Sequence, residues 1–240
     1  MTDLQTLQQY IDEARAIVFF GGAGVSTESG VPDFRSVDGL YNQTWKYPPE
    51  IILSHSFFLR HTGEFYAFYR QKMLFLEAQP NPAHKKLAEL EAAGKLTAVI
   101  TQNIDGLHQA AGSKQVLELH GSVHRNYCTR CRKLFDAQYM KDTVDIPLCT
   151  CGSLIKPDVV LYEESLDGRT LQRAVEALEN ADLLIIGGTS LAVYPAAGLI
   201  RYFGGSRIVL INRDATPYDN RATLCIREPI GQVLGQVEVR

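Results

Sequence analysis

The chain has 240 residues, of which 45% are hydrophobic and 21% charged, and its formal net charge is -3 at pH 7. This length suits one main domain carrying insertions, and the composition is that of a folded globular protein. Because the basic residues form no dense run, we expect no direct nucleic-acid partner. The N-terminal residues are polar and no apolar run approaches the roughly 20 residues of a membrane helix, so we expect a cytoplasmic protein without a membrane partner. No oligomer is implied.

A glycine-rich loop follows the first predicted strand. Residues 16–20 are apolar without alternation, which is typical of a strand buried on both faces of a parallel sheet. They lead into Gly21-Gly22-Ala23-Gly24, and glycines in this place can bring backbone N–H groups against a pyrophosphate. Thr27 stands where the dinucleotide fingerprint has its third glycine, so a nucleotide site and a simple tight turn both stay open.

Strands and helices alternate through most of the chain. Apolar runs at residues 98–101, 183–186 and 208–211 predict further strands, and residues 82–93 predict a helix that stops at Gly94. The alternation predicts an α/β fold with a doubly wound parallel Rossmann-like sheet. Two stretches break the rhythm and predict a smaller inserted lobe, with a helical insertion at 36–79 and a zinc-binding module at 125–153. The Rossmann-like lobe then comprises 1–35, 80–124 and 154–240 of a single domain spanning 1–240.

Polar residues follow the predicted strand at 98–101. Gln102-Asn103-Ile104-Asp105 stand at its C-terminal end, which is the edge where open α/β sheets bind ligands. Asp105 precedes Gly106-Leu107-His108 and would also serve as a helix N-cap, which by itself is the more common role. The segment therefore predicts either a cap or a ligand site.

A histidine ends the next apolar run. His120 follows residues 116–119 and precedes Gly121, a residue that leaves space for a ligand. A lone histidine is more often structural than catalytic. Its neutral imidazole can nevertheless act as a general base near neutral pH, so the strand-end position makes His120 the best catalytic candidate.

Four of the five cysteines crowd into one stretch. They are Cys128, Cys131, Cys149 and Cys151. Paired cysteines at this spacing match a four-thiolate zinc site of the ribbon type. Because four thiolates leave no coordination position open, we expect a structural Zn²⁺ rather than a catalytic one.

Together these blocks resemble the sirtuin family of NAD-dependent protein deacylases, and look closest to its compact bacterial members. The resemblance rests on Gly22-Ala23-Gly24-Val25-Ser26, the run from Ser29 to Arg35, Thr101-Gln102-Asn103-Ile104-Asp105, His120-Gly121 and the four cysteines. It continues through Gly187-Gly188-Thr189-Ser190-Leu191 and Ile211-Asn212, and so covers nearly the whole chain.

The resemblance implies that NAD is a consumed co-substrate of the Rossmann-like lobe and that acyl-lysine proteins or peptides are the partners. The acyl group would pass from lysine to ADP-ribose, with release of nicotinamide and O-acyl-ADP-ribose. His120 would be the general base, and Asn103 a second catalytic residue. The residues implied to bind NAD are Gly22, Ala23, Gly24, Thr27, Asp33, Phe34, Arg35, Gln102, Asn103, Ile104, Asp105, His120, Gly188, Thr189, Ser190, Asn212, Arg213 and Ile230. The residues implied to pair with the peptide are Val159, Val160, Leu161 and Tyr162.

Two positions depart from the family's patterns. The chain has Tyr162-Glu163-Glu164 where family members usually have Phe-Gly-Glu, and we expect an acidic Glu163 to favour basic neighbours of the target lysine. Members that prefer succinyl or malonyl groups carry Tyr-x-x-Arg, whereas Arg70 comes one residue later after Tyr66, about 100° further round a helix. The resemblance therefore predicts a neutral, fairly apolar acyl pocket suited to acetyl and longer chains.

Three other functions stay open on the sequence. An NAD-dependent ADP-ribosyltransferase would share the cofactor pocket but pass the ribose to a protein side chain. A hydride-transfer dehydrogenase is disfavoured by the missing third glycine. A catalytically silent zinc-ribbon module that only binds the nucleotide is disfavoured by the presence of Asn103, Asp105 and His120.

Overall fold

The structure is a computed structural model that describes residues 1–34, 39 and 45–240. Its larger part is a six-stranded parallel sheet in the order β3-β2-β1-β7-β8-β9. These strands are Ile17–Gly21 (β1), Leu96–Thr101 (β2), Val116–Glu118 (β3), Leu183–Gly187 (β7), Arg207–Ile211 (β8) and Leu224–Ile226 (β9). The chain moves outward from β1 to β3 and then resumes with β7 on the other side of β1. This is the order of a doubly wound nucleotide-binding sheet, so the predicted fold class is confirmed.

Both faces of this sheet are covered. One face packs on α1 (Asp3–Glu13), α5 (Pro82–Ala92) and α9 (Ile230–Gly235), and the other on α8 (Gly168–Glu179) and a 3₁₀ helix at Ala196–Tyr202. The short helix α6 (Leu107–Ala110) follows β2, and further 3₁₀ turns lie at Ala23–Val25, Thr27–Ser29 and Asp219–Arg221. None of the helices in the part of the chain that the structure describes is long and apolar enough to cross a lipid bilayer.

Strand β1 shows why the sequence lacks alternation here. Successive side chains of a strand point to opposite faces, and Ile17 and Phe19 enter the core that contains Leu87 of α5. Val18 and Phe20 enter the opposite core, where they meet the α8 side. Because both faces are buried, every residue of the strand must be apolar or small.

The smaller lobe joins the two stretches that interrupt the α/β rhythm. It contains α2 (Pro49–Ile52), α3 (His55–Arg60), α4 (Thr62–Lys72), α7 (Ala137–Asp142) and an antiparallel sheet of β4 (Gly121–Cys128), β5 (Leu134–Phe135) and β6 (Ile155–Val159) in the order β5-β4-β6. Phe58, Phe65 and Tyr69 of the helices share one hydrophobic core with Ile155 of β6. The small sheet thus extends beyond residues 125–153 at both ends, and the lobe limits expected from the sequence remain predictions.

Arg125 ties the two sheets together. Its Nη1 lies 2.7 Å from a carboxylate oxygen of Glu118 in β3, and its Nε lies 2.8 Å from a carboxylate oxygen of Asp158 in β6. His120 lies in the short connection from β3 to β4. The two ion pairs of Arg125 therefore hold together the strands on either side of the candidate base.

Candidate active site

A cavity of about 590 Å³ lies at the carboxyl ends of β1, β2, β7 and β8, against the smaller lobe. It includes the point between β1 and β7 where the strand order reverses, which is the usual ligand position in such sheets. The predicted residues that line it are Gly22, Ala23, Gly24, Thr27, Asp33, Phe34, Gln102, Asn103, Ile104, Asp105, His120, Gly188, Thr189, Ser190, Asn212, Arg213 and Ile230, together with Val159, Val160, Leu161 and Tyr162. Arg35 lies outside the described residues.

The glycine loop is shaped by a close approach between the segments after β1 and β7. Gly24 donates its N–H to Gly188 O at 2.8 Å, and a Cβ added to Gly24 would lie 2.8 Å from the Cα of Gly188. Gly188 has a φ of 58°, and a Cβ there would lie 2.2 Å from the N of Val25. Glycine is therefore required at both positions for the two strand-end loops to meet.

Ser26, just after the glycines, is fully buried and contacts polar side chains from two other parts of the chain. Its hydroxyl donates to Asp105 Oδ2 at 2.6 Å and accepts from Asn103 Nδ2 at 3.0 Å. The other oxygen of Asp105 accepts the N–H of Leu107 at 2.9 Å. One oxygen of Asp105 therefore holds the N–H of Leu107 at the start of α6, as the capping interpretation predicted, and the other accepts from Ser26 beside the cavity. The contact of Asp105 with a ligand stays a prediction.

A buried histidine completes this network. His84 Nδ1 lies 3.3 Å from the N–H of Asn81, which can only donate, so the neutral ring carries its hydrogen on Nε2. That nitrogen lies 3.4 Å from Ser26 Oγ. Burial lowers the pKa of His84 to about 4, although Asp105 opposes the shift, and the ring is therefore neutral near neutral pH. Sequence reasoning missed His84 because its helical position resembles that of a core residue.

His120 is held in one tautomer. Its Nδ1 lies 3.1 Å from Gln102 O, and because a carbonyl can only accept, the neutral ring carries its hydrogen on Nδ1. The Nε2 lone pair is then the basic position of a ring that lines the cavity. Burial lowers the pKa of His120 from its usual 6.5, while the bond to Gln102 acts in the opposite direction. The base form is therefore favoured near neutral pH.

The glycine after His120 has a different role from the one expected. Gly121 has a φ of 77°, and a Cβ there would lie 1.9 Å from Asp158 O. The missing side chain therefore makes room for the neighbouring strand β6. We expected Gly121 to leave space for a ligand, but the space that it leaves is occupied by the backbone of Asp158.

Several cavity residues carry no local sequence signal. They are Leu53, Lys72, Met73 and Phe75 from the helical insertion, Tyr194 after β7, and Leu166 after β6. Their positions depend on the docking of the smaller lobe against the large sheet. The cavity likewise gains Glu228 and Pro229 just before the start of α9.

The four cysteines meet at the edge of the smaller lobe. Their sulfur atoms all lie within 4.8 Å of one another, with Cys128–Cys151 at 3.4 Å and Cys131–Cys149 at 3.6 Å. A tetrahedral Zn²⁺ with Zn–S bonds of about 2.3 Å needs sulfur atoms about 3.8 Å apart. The thiols therefore fit a zinc ion, and they lie apart from the cavity.

Fold and site together define a Rossmann-type nucleotide-binding protein with a four-cysteine lobe and a partly buried histidine, His120, at the cavity. A family model described as "Sir2 family" matches residues 22–195, which is more than half of the chain. The chain belongs to this family.

Similar proteins cover nearly the same length. A Clostridium acetobutylicum protein named NAD-dependent protein deacetylase is 58% identical over 238 residues, covering 98% of this chain and 97% of its own. A Staphylococcus aureus protein of the same name is 47% identical and covers 97% of this chain and 96% of its own. A solved structure described as "Sir2-p53 peptide-NAD+" is 40% identical with a TM-score of 0.85, covering 98% of this chain and 96% of its own. Another, "Sir2 bound to acetylated peptide", is 39% identical with a TM-score of 0.86 and covers 98% and 96%.

Proposed function

We propose that the chain is an NAD-dependent protein-lysine deacetylase that transfers the acyl group of an acyl-lysine to ADP-ribose and releases nicotinamide. The observation that carries the proposal is the position of His120, whose tautomer is fixed by Gln102 in a cavity that also contains the glycine loop and the segment 159–162. Relatives that are 58% and 47% identical are named for this activity.

His120 supplies the general base. Its Nε2 accepts a proton from a ribose hydroxyl of the co-substrate, and the resulting imidazolium keeps its Nδ1–H bond to Gln102 O. Before this proton transfer, the acyl-lysine carbonyl oxygen bonds to the ribose C1′ as the C1′–nicotinamide bond breaks and nicotinamide leaves. The 2′-oxygen that His120 deprotonates then attacks the former carbonyl carbon, and addition of water with cleavage of the C–N bond to lysine releases the lysine amine and O-acyl-ADP-ribose. NAD is consumed in this reaction.

Asn103 and Asp105 orient the nicotinamide end. Both are fixed through Ser26, so their side chains are positioned before NAD enters. An amide oxygen is a poor nucleophile, and orientation of the reacting groups must therefore supply a large part of the rate. The remaining cavity residues at the ends of β1, β2, β7 and β8 hold the phosphates, riboses and adenine. The contribution of Arg35 stays a prediction, because that residue lies outside the described residues.

The acyl-lysine peptide adds as a strand beside residues 159–162. Val160 donates its N–H to His120 O at 3.0 Å, which joins this segment directly to the base. Residues 193–195 also line the cavity and form a second wall for an extended peptide. Pairing through the backbone gives affinity with little demand on the sequence of the substrate.

Neither Tyr66 nor Arg70, the pair closest to the Tyr-x-x-Arg pattern, is among the described residues that line the cavity, whose one lysine on this side is Lys72. We therefore expect an acyl pocket without that pair. Tyr66 is fully buried and its hydroxyl donates to Ile155 O. Arg70 donates to Val144 O at 2.7 Å and to Asp145 O at 3.0 Å. Its guanidinium therefore binds two backbone carbonyls of the smaller lobe rather than a substrate carboxylate. The apolar residues Leu53, Met73, Phe75, Leu161 and Leu166 line the cavity instead.

The four thiolates hold one structural Zn²⁺ in the smaller lobe and leave no coordination position for a substrate. Cysteines are kept in the reduced form in the cytosol, where such a cluster favours metal binding over disulfides, and this supports the cytoplasm as the location of the protein.

The test is incubation with NAD and matched acetyl-lysine and succinyl-lysine peptides, following peptide mass and nicotinamide together. We expect loss of acetyl with one nicotinamide released per peptide, and a preference for acetyl over succinyl. His120→Ala should lower turnover by about 10²- to 10⁴-fold, the usual contribution of a general base. His61→Ala is the matched control, because that histidine is exposed and lies outside the residues that line the cavity.

Each alternative gives a distinct result. Gain of an ADP-ribose unit on the protein or peptide without acyl loss indicates a transferase. Appearance of NADH indicates a dehydrogenase. Nicotinamide release that survives His120→Ala unchanged contradicts the assigned base.

A further inference from the structure

Glu163 occupies a backbone conformation that disfavours its residue type. Its φ is 75°, in the left-handed region where a Cβ is crowded against the following carbonyl. Family members usually have glycine at this position, which adopts such a φ at no steric cost. A glutamate here therefore needs contacts that stabilise it.

The side chain of Glu163 supplies those contacts. Its Oε2 accepts the backbone N–H of Ser56 at 2.8 Å, and its Oε1 accepts the hydroxyl of Ser56 at 2.8 Å. These hydrogen bonds lower the pKa of the Glu163 carboxyl, so it is ionised at neutral pH. Ser56 lies in the first turn of α3, on the helical side of the smaller lobe.

Neighbouring contacts join the same two segments. Tyr162 donates its N–H to Leu53 O and accepts from the N–H of His55, both at 3.0 Å. Glu164 lies 2.7 Å from His55 Nδ1 through one oxygen, and its other oxygen accepts the N–H of Leu161 at 2.9 Å. Residues 161–164 are thus fastened along residues 53–56 while they line the cavity.

We propose that Glu163 is a positioning residue for the substrate peptide. Its carboxylate locks residues 161–164 against residues 53–56, so that they present a fixed edge to an incoming strand. This inference rests on the proposed function. A preformed edge lowers the ordering cost of peptide binding, and it acts on the peptide rather than on NAD. The carboxylate is engaged by Ser56, so the expected attraction of basic neighbours is replaced by this internal role.

The kinetic test compares Glu163→Gly with Glu163→Gln. Glycine removes the lock, that is, both hydrogen bonds from Ser56 to the Glu163 carboxylate. Glutamine keeps two bonds, because it can accept the N–H of Ser56 and donate to its hydroxyl. Glu163→Gly should raise the KM for an acetyl-lysine peptide by about five- to tenfold, where tenfold corresponds to about 1.4 kcal/mol, and should leave kcat and the KM for NAD within about twofold. Glu163→Gln should restore most of the peptide affinity. Ser56→Ala, which keeps the N–H but loses the hydroxyl, should fall between them.

Three kinetic results overturn the proposal. One is an unchanged peptide KM in Glu163→Gly, and a second is an equal rise in the KM values for peptide and NAD. The third is a loss of preference for lysine-flanked over glutamate-flanked peptides in Glu163→Gln, which would show that the charge acts on the substrate directly.

Hydrogen exchange tests the lock independently of activity. In Glu163→Gly the amide of Tyr162 should exchange at least about tenfold faster than in Glu163→Gln, because its bond to Leu53 O opens more often. Equal exchange in the two variants overturns the lock. If the wild-type protein turns over no acyl-lysine peptide, the proposed function fails while this measurement still decides whether Glu163 holds the segment.

Discussion

Replacing Ser26 with alanine tests whether a buried network sets the geometry of the site. The hydroxyl donates to Asp105 and accepts from Asn103, and it lies within reach of His84. Ser26→Ala removes all three contacts at once. It leaves a carboxylate, an amide and an imidazole N–H with one partner fewer inside the protein.

The magnitude follows from the kind of bonds lost. A hydrogen bond to a charged group contributes about 1.5–3 kcal/mol and a neutral one about 1 kcal/mol, so the one charged and two neutral contacts would add to roughly 3.5–5 kcal/mol if they were independent. These contributions overlap, because the three groups share one oxygen. We expect kcat/KM for NAD and an acetyl-lysine peptide to fall by about 10²- to 10³-fold, at about 1.4 kcal/mol for each factor of ten.

The assay is nicotinamide release, with urea unfolding to verify that the variant is folded. Ser29→Ala is the control, since its hydroxyl accepts one neutral bond from Asn81 Nδ2 at 3.1 Å and should cost less than about threefold. Asp105→Asn cannot accept from Ser26 through its amide nitrogen, and the double variant with Ser26→Ala should lose little more than either single one. A folded Ser26→Ala with activity within threefold of wild type would refute this account of the network.

Two further predictions concern the base and the glycine loop. Burial lowers the pKa of His120 from 6.5, and only the neutral ring accepts a proton. Activity should therefore be lost as the pH falls through a midpoint below 6.5. A midpoint at or above 6.5 contradicts the assignment of His120 as the base. The measurement is kcat/KM for the peptide at saturating NAD across the acid range. Gly24→Ala should cost about 1–3 kcal/mol of stability and raise the KM for NAD, because its Cβ would lie 2.8 Å from the backbone of Gly188. Gly63→Ala, in the first turn of α4 with no atom within 4 Å of the added Cβ, should be neutral or stabilising, and similar losses in both variants would show that close approach is not the cause.

Much of the fold could be predicted because it follows from local patterns. The apolar runs became β1, β2, β7 and β8, and the helix predicted at 82–93 spans Pro82–Ala92. The hydrophobic pattern of a short stretch of sequence indicates whether it forms a buried strand or an amphipathic helix. Parallel strands that are connected through helices then have few alternative arrangements. The cysteine spacing likewise predicted a cluster that the structure brings within 4.8 Å.

The sequence by itself determined the fold class, the family and the strand-end residues of the cavity, because these depend on short motifs and on the end of the strand that each motif follows. Only the tertiary structure decided how those residues act together. Ser26 meets Asp105 across 79 positions of the chain, and Ser56 meets Glu163 across 107. Such partners are chosen by the packing of one lobe against another, and no local pattern of hydrophobicity or hydrogen-bonding preference encodes that packing.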